Sequence, residues 1–150
     1  MTVKLTPIRR AKHGPEWFLQ RDHVEYMKDR GWYGKRMIGN ALQTGVPDYL
    51  FMHERHGTRW IDYKNPSSYE FTPAQIIEWP KWEAKRVGIW IITAVTQEQY
   101  DLLFTRLPLG NWRDYWKPKY DYTPTEELID ALAEEERTMA MSRHCLRNGD

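Results

Sequence analysis

The sequence predicts an α/β fold: a four-stranded mixed sheet flanked by helices in the order α-β-β-β-α-β, followed by a C-terminal extension. Three observations carry this prediction. Two short apolar runs, Tyr49–His53 and Trp60–Tyr63, flank a polar break containing Gly57, which is a β-hairpin pattern. Thr72-Pro73-Ala74-Gln75 combines a capping box with proline in the first helical turn. Gly88–Val95, GIWIITAV, is the most apolar run and reads as a strand buried on both faces. A helix leading into such a strand suits a right-handed crossover beside the hairpin.

Residues 1–13 read as an extended arm. Its Arg9, Arg10 and Lys12 either meet a phosphate backbone or stay solvated at a frayed terminus. Gly14-Pro15 opens the first helix, expected to run to about Arg30 and stop at Gly31 as a left-handed cap. Trp17, Gln20, Val24 and Met27 share one stripe. Glu16 lies at its edge, where an acid also interacts well with the helix dipole. Trp32–Ile38 is a weaker strand pattern interrupted by Gly34; its Lys35 and Arg36 are candidate DNA contacts or ordinary surface charges. Gly39–Gly45 reads as a loop, with Gly45 allowing close approach of backbone or ligand.

Asn65–Glu70 is a polar turn ahead of a helix expected from Pro73 to Val87. Pro80 inside it removes a hydrogen bond at a cost of about 3 kcal/mol, so a kink or break is expected near Glu78–Trp79. Lys81, Lys85 and Arg86 follow as a basic rim. Thr96–Gln99 is a second capping box, opening a helix to about Leu107.

Pro108–Pro124 carries Trp112, Tyr115, Trp116, Tyr120 and Tyr122 among Arg113, Lys117 and Lys119. Such interleaving suits stacking on unpaired bases, with Arg113, Trp116 and Lys117 as nucleic-acid contacts. It equally suits a segment wrapped over apolar surface. Thr123–Glu126 starts an acidic helix with Leu128, Ile129 and Leu132 on one side, a docking or dimer face, and order is expected to fade from Ser142. The chain thus divides into a core, 1–107, and an extension, 108–150, packed on it.

The 150 residues and 18.1 kDa suit one domain, with 8 Trp and 9 Tyr supplying much of the core. The single Cys145 excludes an intramolecular disulfide and a zinc cluster. No apolar run approaches the roughly 18 residues of a membrane span, and no apolar signal region follows the basic N-terminus. A cytoplasmic protein is expected. Net charge is +1, which does not by itself announce a nucleic-acid partner. Its distribution is uneven: residues 1–40 are basic and residues 121–150 acidic.

The chemistry gathers at the hairpin. Strand alternation puts Asp62 and Lys64 on one face and Tyr63 on the other. A turn centred near His56 sets Asp48 opposite Lys64 and Leu50 opposite Asp62. Two carboxylates beside a lysine are expensive to desolvate without a purpose. A divalent cation such as Mg²⁺, which keeps several waters and binds substrate phosphates, supplies one. The five histidines, His13, His23, His53, His56 and His144, show no HxxxH or HNH-like spacing, and none is assigned a catalytic role.

Pro47-Asp48 followed by Asp62-Tyr63-Lys64 resembles the two core elements of the PD-(D/E)XK nuclease superfamily. Gly45 ahead of them, Gln75 downstream and Glu16 on the upstream helix make the chain similar to its virus-type replication-repair nuclease (VRR-NUC) branch, over roughly Glu16 to Phe104. Asp62 stands where many relatives carry glutamate. The resemblance implies a restriction-endonuclease-like core and an Mg²⁺-dependent DNA endonuclease, with Mn²⁺ able to substitute. Asp48, Asp62 and Glu16 would hold the metal, together with the Tyr63 backbone carbonyl. Lys64 would act on water or phosphate, and Gln75 would lie near phosphate, although it also has a capping role. The branch further implies branched or junction DNA as substrate, a part in phage or bacterial replication, recombination or repair, and a homodimer. A phage protein would work in the host cytoplasm. The alternative is a non-catalytic nucleic-acid-binding or assembly module retaining the fold.

Overall fold

The computed structural model describes residues 14–38, 45–122 and 125–147. The arm with Arg9, Arg10 and Lys12 lies outside them. Helix α1 (Pro15–Lys28) is followed by β1 (Tyr33–Arg36), β2 (Tyr49–His53) and β3 (Gly57–Tyr63). Then come α2 (Pro73–Ala84), β4 (Ile89–Ile92) and α3 (Gln97–Thr105). A 3-10 turn (Trp112–Tyr115), the single turn α4 (Pro118–Asp121) and α5 (Thr125–Arg147) complete the chain. The predicted α-β-β-β-α-β order and four-stranded mixed sheet are found, with a helical C-terminal extension.

The strands lie in the order β1-β2-β3-β4. The first three are antiparallel, and β4 runs parallel to β3. A parallel neighbour needs a crossover, and α2 supplies it. Period-two alternation gives the sheet two different faces. Ile61, Tyr63 and Ile92 pack with Met27, Trp32, Phe51, Trp90 and Leu103. On the other face Ile89 and Ile91 pack with Phe71, Trp79, Trp112 and Tyr120. All four residues of β4 are buried, as expected for a strand covered on both sides.

The hairpin register differs from the predicted one. Leu50 pairs with Trp60 and Tyr49 with Ile61, so Asp48 continues opposite Asp62 rather than Lys64. His53 pairs with Gly57, whose φ of +81 puts the turn one residue earlier. A slip of two residues leaves every side chain on its predicted face, which is why the acids still meet.

Both main helices end in the same way. In α1, Trp32 N donates to Met27 O and Gly31 N to Lys28 O, the Schellman pattern, with Gly31 at φ +89. In α2, Val87 N donates to Trp82 O and Arg86 N to Glu83 O, with Arg86 at φ +63. The helix therefore ends at Ala84, short of the predicted Val87. It runs through Pro80 without the expected break. Trp79, fully buried before the proline, and Trp82, packed on Trp60 after it, hold both sides in register. On α1 the buried residues are His23 and Met27, while Trp17 is 39% exposed, so the inward stripe is rotated from the predicted one.

Residues 108–112 run along the outer edge of β4. Ile89 N donates to Leu109 O, and Asn111 clamps Ile91 through both its N–H (2.6 Å) and its carbonyl (3.1 Å). That satisfies an edge strand which would otherwise be open. A side chain at Gly110 would strike Ile89 O, so only glycine permits this approach. Helix α5 packs against α2 and continues to Arg147, past Ser142 where order was expected to fade. The side chains of Leu128, Ile129 and Leu132 lie outside the described residues.

Candidate active site

Four elements converge at the C-terminal end of β3. Gly45 leads into the site: its φ is +83, and a Cβ there would come within 2.9 Å of Ala74 O. Its carbonyl accepts from Trp79 Nε1 at 2.6 Å, fixing the approach to Pro47-Asp48 against α2. The expected close backbone approach at Gly45 is thus made to the protein's own helix.

Asp48 and Asp62 each accept from a backbone N–H on the facing segment. Tyr63 N donates to Asp48 Oδ2 at 2.9 Å, and Asp48 N donates to Asp62 Oδ1 at 3.3 Å. Asp62 Oδ2 lies 3.2 Å from Lys64 Nζ, and both side chains are almost fully buried. Lys64 also donates to Gln75 Oε1 (2.9 Å) and to Glu70 O (3.1 Å), so its three N–H groups have three acceptors. The ammonium sits 5.3 Å from the Phe71 ring centre and 5.9 Å from that of Trp79.

Gln75 makes the cap expected of it and, in addition, a contact to Lys64. Its Oε1 closes the capping box by accepting from Thr72 N (3.1 Å) while also holding Lys64. The box fixes the first turn of α2, and that turn fixes the lysine. The second predicted box is only half formed. Thr96 caps Gln99 N, but the Gln99 side chain accepts from Thr93 N and Ala94 N instead, tying α3 to the end of β4.

Burial dominates the electrostatics. It raises both Asp48 and Asp62, the latter to about 7, and the neighbouring Asp48 charge pushes Asp62 further in the same direction. Lys64 opposes both shifts without cancelling them. Two acids and one ammonium therefore leave an excess of acid in a buried place.

Glu16 stands beside this group rather than within it. Its Oε1 accepts from Asn65 N at 3.1 Å, and its charge is near enough to Asp48 to raise that carboxyl. Among the described residues, no group of three or more His, Cys, Asp or Glu side chains gathers to hold a metal. The donor set is thus two carboxylates at a strand end. It fits a hard cation such as Mg²⁺ that keeps waters and shares a substrate phosphate, rather than one caged entirely by protein.

Two supports were not anticipated. Behind the acids, the Tyr63 hydroxyl and His23 Nδ1 share a hydrogen bond of 2.7 Å, inside the opposite core. Burial lowers His23 to about 4 and raises Tyr63 well above its ordinary value, so both stay neutral. The signal available was spacing: His23 precedes Met27 by one helical turn. The second support comes from the extension. Tyr120 accepts from Phe71 N (3.0 Å) and donates to Glu70 Oε2 (2.9 Å), fixing the turn whose carbonyl binds Lys64.

The candidate nucleic-acid contacts separate. Lys35 lies on the acid-bearing face, opposite Leu50, whereas Arg36 lies on the other face, opposite Tyr49. Trp116 packs on Phe71, Trp112 and Tyr120, and its Nε1 donates to Asp121. Arg113 pairs with Glu83, and Lys117 binds Tyr69 O and Glu70. Trp112 and Tyr120 are core residues, 1% and 5% exposed. The aromatic segment therefore covers apolar surface, the second of the two readings its sequence allowed.

Among the described residues no helix is long and apolar enough to cross a membrane. Comparison with protein-family models, curated proteins and solved structures finds no match to this chain.

Proposed function

We propose that the protein is an Mg²⁺-dependent DNA endonuclease that hydrolyses phosphodiester bonds, acting on branched or junction DNA. One observation carries the reading: Asp48 and Asp62 face each other across β2 and β3, with Lys64 3.2 Å from Asp62. The resemblance of Pro47-Asp48 and Asp62-Tyr63-Lys64 to the nuclease pattern supports it. Asp48 and Asp62 are the metal-holding acids, with the Tyr63 carbonyl and Glu16 as further candidates. A bound Mg²⁺ supplies Lewis-acid polarisation of a phosphoryl oxygen.

The chain's own groups do the rest. Gln75 and the Glu70 carbonyl hold the ammonium of Lys64 in place. The Lys64 proton directed at Asp62 can turn instead to a phosphate oxygen as negative charge builds there. Water adds to phosphorus, the P–O ester bond breaks, and one product keeps the phosphate while the other leaves as an alcohol. The acid-rich pocket makes little sense for phosphate binding alone, because two carboxylates repel it.

A second reading, a nucleic-acid-binding or assembly module that keeps this fold, is favoured by one feature. Lys64 is fully satisfied within the protein, so its charge can serve as a structural counter-ion. Single-turnover cleavage of a four-way junction with and without Mg²⁺ separates the two. Metal-dependent cleavage that disappears in Asp62→Asn is expected. Junction binding with no cleavage in Mg²⁺ or Mn²⁺ would establish the module.

A further inference from the structure

Two residues back along β3 from Asp62, a cleft of about 370 Å³ opens between β3 and α2, lined by Trp60, Glu78, Lys81, Trp82, Lys85 and Val87. It is built by the same two elements that build the acid–lysine site. Along β3, Trp60 precedes Asp62 by two residues on the same face, about 7 Å away. Along α2, Trp82 follows Gln75 by seven residues, two turns or about 10 Å further on the same stripe. The helix runs back along the strand. Lys64 meets Gln75 at one end, and Trp60 meets Trp82 at the other, with ring centres 5.2 Å apart at 72°.

Both indoles are half-buried. Each packs against the core on one side and lines the cleft on the other. Lys81 and Lys85 are exposed on the rim, and Glu78 pairs with Lys81 at 3.3 Å, leaving the rim basic. Lys35 stands on the same rung of the sheet, opposite Leu50, which is itself opposite Trp60. Ammonium groups thus flank an aromatic slot one nucleotide's length from the two acids.

We infer that this cleft takes an unpaired nucleobase of the nucleic-acid strand whose phosphate lies at Asp48 and Asp62. The occupant is single-stranded because a paired base offers no free face to a tryptophan, while an unpaired base stacks on indole with its phosphates on the lysines. The inference rests on the proposed nuclease reading for which phosphate lies at the acids; the base slot itself does not.

The test is fluorescence anisotropy of a labelled oligothymidylate and of a blunt duplex of equal length, in EDTA. Parent, Trp82→Ala, Trp82→Phe and Lys81→Ala/Lys85→Ala are compared. The parent should prefer the single strand. Trp82→Ala should weaken that binding about tenfold and duplex binding less than about twofold, with Trp82→Phe retaining most of it. The double lysine variant, altered only at exposed positions, should show a shallower salt dependence on the single strand. It tests the cleft even where Trp82→Ala melts too low to use. Equal affinity of the parent for both DNAs, or equal losses on both in the variants, would overturn the inference and leave the cleft to a protein partner. Junction cleavage in Mg²⁺ is measured separately. Cleavage without any Trp82-dependent single-strand preference removes the base slot and keeps the nuclease. Trp82-dependent preference without cleavage removes the nuclease and keeps the slot.

Discussion

Two cations are buried on opposite faces of the sheet, Arg59 in β3 and Lys64 immediately after it, each 6% exposed, and they are solvated in different ways. Arg59 donates to three backbone carbonyls, those of Leu103, His56 and Thr58, at 2.7–2.9 Å. Its guanidinium lies 5.4–5.7 Å from the ring centres of Trp32, Trp90 and Phe104. None of these partners is a carboxylate. Lys64 has one carbonyl, one amide oxygen and one carboxylate, and a second carboxylate stands behind the first. Carbonyls and aromatic faces are enough to keep a buried cation in a static role. Two carboxylates beside one lysine exceed what its charge can neutralise, and under the proposed function that excess is where a second cation would be held.

The acids give the largest expected effect. Asp48→Ala and Asp62→Ala should each abolish Mn²⁺ binding in titration calorimetry while keeping a cooperative thermal transition. A variant that still bound Mn²⁺ like the parent would remove its residue from the metal site. Lys64→Met comes next. It keeps the stem and removes the charge, so single-turnover junction cleavage should fall about 100-fold while Mn²⁺ affinity persists. Near-parental cleavage would reduce Lys64 to a counterpart of Arg59.

Arg59→Met sharpens the contrast from the other side. Losing charge-assisted bonds to three carbonyls should lower stability by about 2–3 kcal/mol in urea unfolding, with cleavage per folded molecule unchanged. A cleavage defect matching that of Lys64→Met would erase the distinction between the two cations. The pH dependence has an equally definite sign. Asp62 is raised from its ordinary range to about 7, so the folded protein binds the extra proton between those values. Its contribution to stability is therefore present at low pH and lost as pH rises from about 4 to 7. Buried His23, lowered to about 4, works in the opposite direction over an overlapping range. The measurement is thus the difference between parent and Asp62→Asn in metal-free buffer: the parent should lose stability relative to the variant as pH rises. A flat difference would mean that Asp62 titrates normally.

The smallest effect concerns Arg86, a cation whose backbone rather than its head is strained. It holds the left-handed cap position that Gly31 fills in α1. Arg86→Gly should stabilise the fold by about 1 kcal/mol, read from the denaturation midpoint. Destabilisation would show that the Arg86 side chain holds more than its cap.

The element order, the hairpin, both proline-led helices and the apolar β4 were legible because each is written in local pattern or in a capping contact three residues long. The acids and Lys64 were legible for a related reason: a two-residue slip in register preserves the face, so the wrong pairing still gave the right cluster. Gln75 was legible as a cap, since Thr72-Pro73-Ala74-Gln75 is contiguous. Its bond to Lys64, eleven residues away, was not foreseen; the resemblance placed Gln75 only near phosphate. The Tyr63–His23 bond spans 40 residues and the Tyr120–Glu70 bond 50, and neither leaves a local trace.

The sequence by itself determined the order of strands and helices, where the two proline-led helices begin, which residues alternate with which, and that two acids and a lysine share a face. Tertiary structure alone decided which aromatic and basic residues are core and which line a cleft. Trp112–Lys117 and Trp60–Lys85 offer the same chemistry in composition. Phe71, Trp79 and Tyr120 pack with Trp112, whereas among the described residues no such cover closes over the outer sides of Trp60 and Trp82, which line the cleft. Burial is set by the surface that meets a side chain, and that surface comes from distant parts of the chain.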